Sequence, residues 1–209
     1  MFIPLVDILR CPNPHDDTWL VASIDRAEAR DIVHGTLGCP KCLAEYPIRD
    51  GVVRFSDRVP RPPLRAVREE DAIRLAAALD LTDARMTAVL QGEWGALAPV
   101  IRGVSPAQLL LVNPPEGIAS GDGISIVLAD AAPVARAAAS AAAFDAGAGT
   151  AMIASLVGAL RGGGRVVGPA QHAPPPGLTE LARDDELWVA RLEPAAAESA
   201  PVMPTRRPR

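Results

Sequence analysis

Aromatic side chains are scarce in this chain of 209 residues: they make up 3 %, as one Tyr, three Trp and three Phe. The core must therefore be built from Ala, Val, Leu and Ile, and few rings are left for stacking on bases. Cysteine is scarcer still, with three residues and none after Cys42. Three thiols cannot pair completely as disulfides, so a reducing compartment, the cytoplasm, is expected. Apolar runs of about 18 residues without charge are missing, so no membrane span is expected. The start, Met1 to Pro12, lacks the basic and apolar blocks of a secretory signal. Net charge is −4 with a pI near 5.4, which leaves no basic footprint for nucleic acid.

What is present is concentrated. Cys11 and His15, then Cys39 and Cys42, fall within the first fifth of the chain. A C-x-x-C turn aims two thiolates at one point, and a distant second pair can complete a tetrahedron around Zn²⁺. Cys39, Cys42 and Cys11 supply three ligands. The usual C-x-x-C partner position is Pro14, so His15, one residue on, is the expected fourth, with Asp16 and Asp17 as weaker candidates. Four protein ligands leave no open position for water, which points to a structural rather than a catalytic zinc. In so small a domain the metal would supply much of the folding energy.

The pattern divides the chain. Residues 1–58 read as a zinc-ribbon-like β domain. It has a short helix at Leu5–Leu9, strands at 18–22 and from His34, and a hairpin over Tyr46–Phe55 turned at Asp50–Gly51. Residues 59–65 are a proline-stiffened linker. In 66–193, short apolar strands (86–90, 108–113, 123–130, 141–145, a turn and strand over 162–168, and 186–193) alternate with helical stretches at 64–79, 96–101, 131–139 and 150–161. That alternation predicts an α/β fold with a Rossmann-like, mostly parallel sheet. Residues 194–209, rich in Pro and Ala with a basic end, read as disordered.

Two resemblances follow from these motifs. L5-V-D-I-L-R-C-P, C39-P-K-C42 and Y46-P-I-R-D-G-V resemble the small zinc-ribbon family that activates methyltransferases. The likeness covers residues 2–55 and departs from the family at Pro14/His15. It implies a ribbon fold, a structural zinc and a protein partner reached by adding a strand to the partner's sheet. That docking surface would lie near Pro47–Phe55. The second half is similar to class I methyltransferases, which use S-adenosylmethionine. A-L-R-G-G-G-R-V-V (159–167) looks like the turn before that fold's fifth strand, and Phe144-Asp145-Ala146 like the end of its fourth.

The resemblance puts the cofactor loop at Gln91-Gly92-Glu93-Trp94-Gly95. The family's acid is there replaced by Gln91, and the bulky Trp94 stands between the glycines. Asn113 takes the place of the ribose-binding acid, and Asp130 can still meet an adenine amino group. The loop is read as a turn that only packs, with Trp94 filling the vacated cofactor space. The expected function is thus a non-catalytic pseudo-methyltransferase with a zinc ribbon. It acts as a scaffold or activator through protein contacts, with a methyltransferase or through self-association. The alternative is a working methyltransferase that binds S-adenosylmethionine through Gly92, Gly95, Asn113 and Asp130. Nucleic-acid binding through the ribbon and the Arg-rich end is the weaker third reading.

Minor motifs carry less. Asn113-Pro114-Pro115-Glu116 resembles the loop of amino-methylating enzymes, but it ends in Glu116 where that loop has an aromatic ring. His172 and His34 are read as surface histidines. Ser140 and Ser155 lack a His/Asp frame, so a hydrolase is not supported. Trp188 is expected to pack on the sheet.

Overall fold

The structure, a computed structural model, describes residues 1–194. The expected disordered tail lies, from residue 195 on, outside the described residues. The ribbon opens with a 3-10 helix (Ile3–Ile8) that has Pro4 in its first turn, where a missing N–H is harmless. A hairpin of β1 (Val21–Glu28) and β2 (Asp31–Gly38) follows, then a second of β3 (Glu45–Arg49) and β4 (Val52–Arg54). The turn at Asp50–Gly51 has both φ angles positive, 50° and 75°, as a tight hairpin turn needs.

The second unit starts with α1 (Glu69–Ala78), shorter than the 64–79 expected; Leu64 and Val67 precede it and are exposed. The rest follows as β5 (Thr87–Gln91), a 3-10 turn (Gly92–Leu97), α2 (Ala98–Val104), β6 (Gln108–Val112) and β7 (Ile124–Leu128). Then come β8 (Ala139–Ala143), α3 (Thr150–Ala159), β9 (Leu160–Pro169), β10 (Leu178–Arg183) and β11 (Leu187–Leu192). Strands β5 to β9 are parallel, and β11 runs antiparallel to β9. The first strand of this half is central, with β6 and β7 on one side and β8 and β9 on the other. Side chains alternate between two cores. Val89, Leu110, Val112 and Ala142 face one, with α3; Leu90, Leu109, Leu111 and Ala143 face the other, with α1 and α2.

The two units share one sheet. Among the described residues eleven strands lie in the order β1-β2-β3-β4-β7-β6-β5-β8-β9-β11-β10. β4 pairs in parallel with β7, with Val52, Val53 and Arg54 opposite Ile126, Val127 and Leu128. The Phe55 amide extends the join by donating to the Leu128 carbonyl at 2.8 Å. The core on the α3 face crosses it, uniting Leu9, Leu37, Ile48 and Val53 of the ribbon with Val127, Phe144 and Leu156. The strand expected to present a free docking edge therefore has a neighbour on each side, both from its own chain.

Three expectations need correction. Residues 131–139 are not a helix, despite their alanines. Pro133 has no N–H and its ring obstructs a helix interior, and Ala137 adopts φ +55°. The segment's polar groups are spent on the ribbon and on α3: Arg10 N–H donates to Pro133 O at 2.9 Å, Ala135 N–H to Ile8 O at 2.8 Å and Ala132 N–H to Ser155 Oγ at 2.8 Å. Residues 92–97 form a 3-10 turn, so helix proper begins only at Ala98, with Pro99 in its first turn. β10 went unread, because L-T-E-L-A-R carries no clean alternation and is exposed along most of its length.

Candidate metal centre and strand-end crevice

Cys11 directly follows the segment that bridges Leu9 to Val134, and its N–H donates to Thr18 O at 3.0 Å. The second knuckle closes on itself: Cys39 N–H donates to Ala44 O and Leu43 N–H to Cys39 O, both at 2.9 Å. These two turns bring the ligand atoms of Cys11, His15, Cys39 and Cys42 within 4.8 Å of one another. The edges suit a tetrahedron. Sγ of Cys11 and Cys42 are 3.7 Å apart, and His15 Nε2 lies 3.2 Å from Cys11 Sγ and 3.4 Å from Cys39 Sγ. Zinc bonds of about 2.3 Å to sulfur and about 2.0 Å to nitrogen require edges of about 3.5–3.8 Å. His15 Nδ1 sits 2.7 Å from the Asp16 carbonyl. Donation there leaves Nε2 with its lone pair toward the thiols. The group thus fits Zn²⁺, with His15 where the sequence places it. His34 lies apart, 3.9 Å from Asp50.

The electrostatics favour thiolates at two of the three sulfurs. The Ala44 backbone N–H, then the Asn13 amide, bring the Cys42 thiol down to about 6. Burial pushes Cys39 up, but the N–H groups of Cys42 and Lys41 outweigh it and leave it below its usual value. Burial holds Cys11 above its usual value, opposed by a hydrogen bond from Tyr46. The hydrogen bond to Asp16 pushes the His15 imidazole up.

The second candidate is a crevice of about 240 Å³ at the C-terminal strand ends, walled by Gln91, Asn113, Asp130, Gly149, Val59 and Pro60 among others. In open α/β sheets ligands bind at such a place, where the strand order reverses. Here much of it is filled from within. Gly92 has φ +64°, and a Cβ there would lie 1.8 Å from Asp145 Oδ2. That carboxylate accepts Glu93 N–H at 2.8 Å and Gly147 N–H at 2.9 Å, and Gln91 Oε1 accepts Asp145 N–H at 3.0 Å. Asn113 pairs both ways with Ala129, donating to its carbonyl at 2.8 Å and accepting its N–H at 2.9 Å. Gly95 is packed by Pro114, with 2.5 Å from a would-be Cβ to that ring. Arg61 ties the linker down by donating to the Pro114 and Pro115 carbonyls at 2.6 and 2.8 Å. Of the four residues named for cofactor binding, only Asp130 is left exposed at the crevice.

Trp94 is not among the crevice walls. It lines a separate cleft of about 360 Å³ with Val67, Leu75 and Leu187. The group that fills the space over Gly92 is Asp145, whose only mark in the sequence is its place at the end of a strand. Trp188 is fully buried, edge-on to Phe144 at 5.7 Å, and its indole N–H donates to His172 O.

Comparison with known proteins adds the following. Residues 4–51 match the model of the Trm112p-like protein family, so the ribbon is similar to those proteins. No curated protein matches the chain in sequence. Among solved structures, a geranyl diphosphate methyltransferase in complex with S-adenosylmethionine is 15 % identical, with a TM-score of 0.39 and 48 % of each chain covered. This chain thus spans about half the length of that enzyme. A putative methyltransferase from Escherichia coli is 14 % identical, with a TM-score of 0.43, over 66 % of this chain and 92 % of that one. A tRNA (m1A58) methyltransferase from Aquifex aeolicus is 13 % identical, with a TM-score of 0.43, over 64 % and 72 %. No helix of the described residues is long and apolar enough to cross a membrane.

Proposed function

We propose that this chain is a non-catalytic protein in which a zinc ribbon and a pseudo-methyltransferase unit are built as one body. It serves as a scaffold or activator through protein contacts in the cytoplasm. The observation that carries this is the Asp145 carboxylate over Gly92. A nucleoside cofactor needs bare backbone there, and an anion already holds the nearby N–H groups. The pairing of Asn113 with Ala129 supports the same reading, because it removes the side chain that would meet a ribose. Zn²⁺ held by Cys11, His15, Cys39 and Cys42 supplies folding energy by clamping the two knuckles.

The contact made by β4 and β7 narrows where a partner can bind. Strand addition at β4 is satisfied internally, so a partner meets other surfaces. The metal end of the ribbon offers Leu43 and Trp19, 80 % and 64 % exposed. The partner is a methyltransferase or a second copy of this chain. Calorimetry of the zinc-loaded chain with S-adenosylmethionine tests the non-catalytic reading. No heat is expected at millimolar cofactor, and saturable binding at micromolar concentration would restore the active methyltransferase.

A further inference from the structure

A site of three thiolates and one neutral imidazole around Zn²⁺ carries one net negative charge. Its sulfurs need hydrogen-bond donors to hold that charge in a partly buried place. Cys39 is served by the backbone N–H groups of Lys41 and Cys42, and Cys42 by Ala44 N–H and the Asn13 side-chain amide at 3.3 Å. Cys11 has Asn13 N–H and, besides the other three ligand residues, the Tyr46 hydroxyl at 3.2 Å. Tyr46 is 6 % exposed. The alternation of β3 turns it and Ile48 inward, and its ring packs on Phe55 with centroids 4.7 Å apart. Among the described residues its hydroxyl has no other hydrogen-bond partner.

We propose that Tyr46 is a positioning residue of the zinc site, its buried hydroxyl donating to Cys11 Sγ and so holding that sulfur toward the metal. The inference rests on the zinc reading above. It assigns a chemical role to the only tyrosine of the chain, and through Phe55 it ties the metal site to the strand that enters the large sheet. Tyr46→Phe keeps the ring and removes the donor. Zinc affinity, measured by competition with a chromophoric chelator on the full chain, should fall about 10- to 100-fold. The Cys11 thiolate-to-metal band of the cobalt-loaded protein should shift with it. Phe55→Leu, which keeps the hydroxyl but disturbs the stack, should change affinity less than Tyr46→Phe. Tight zinc binding by the parent with an unchanged Tyr46→Phe affinity would overturn the role of Tyr46 alone. An equal loss in Phe55→Leu would assign the effect to packing and overturn it too. Failure of the parent chain to hold zinc would remove the metal reading itself, and this inference with it.

Discussion

Val53 sits at the join of the two halves, fully buried between Ile48 of β3 and Val127 of β7. If ribbon and α/β unit form one cooperative body, shaving this side chain must loosen both. Val53→Ala removes two methyl groups, about 0.8 kcal/mol each by transfer, and leaves a cavity worth about 1 kcal/mol more, about 2–3 kcal/mol together. Amide hydrogen exchange reads the loss locally. In the limit where exchange follows the opening equilibrium, protection should fall about 30- to 150-fold. The fall should be the same in β2 and β3 of the ribbon and in β8, three strands beyond β7 in the sheet. Unchanged protection of Ala139–Ala143 beside loosened β2 and β3 would refute the single body and leave the ribbon a separately folding attachment.

Other consequences are as definite. Asn113→Asp removes the donor to the Ala129 carbonyl and sets a carboxylate against it. The cost should be about 1–3 kcal/mol in urea denaturation, with no gain in S-adenosylmethionine binding. His15→Ala should weaken zinc binding strongly and open the fourth position to water, whereas His15→Cys should retain the metal with a more intense cobalt–thiolate absorption. Arg74 links α1 to the β10–β11 turn through Asp184 and Glu186. The N–H groups of Leu187 and Glu186, then Arg74, hold the Asp184 carboxyl below its ordinary value. Its contribution is therefore complete above the unfolded value of about 3.9 and is lost as pH falls through the lower folded one. Exchange at residues 184–187 should quicken only in that acid range.

Local chemistry was legible in the sequence where one residue type decides the outcome. The C-x-x-C turn and His15 announced the gathering of four metal-ligand side chains, and Asp50–Gly51 announced a hairpin. The apolar runs 108–113 and 123–130 announced buried parallel strands, observed as Gln108–Val112 and Ile124–Leu128. What stayed hidden depends on partners far along the chain. The alanines of 131–139 have high helix propensity, but the ribbon claims their backbone groups and Pro133 interrupts the ladder. Trp94 stands between two glycines and so looks like a plug in the sequence, yet the 3-10 turn takes it to the α1 side. The actual plug, Asp145, lies 53 residues from Gly92 and carried no mark beyond its place at a strand end. The pairing of β4 with β7 was unreadable for the same reason: three-residue Val52–Arg54 looks like any hairpin arm, and only the folded chain shows which edge it meets.

The space over Gly92 is the point on which the account turns, and the amides of Gly92 and Glu93 report it. In a ¹⁵N-labelled, zinc-loaded sample titrated with S-adenosylmethionine, the account predicts that both resonances stay where they are up to millimolar cofactor, with Asp145 still holding Glu93 N–H. A saturable shift of those two amides at micromolar cofactor would contradict it, showing that the carboxylate gives way and the crevice receives a nucleoside.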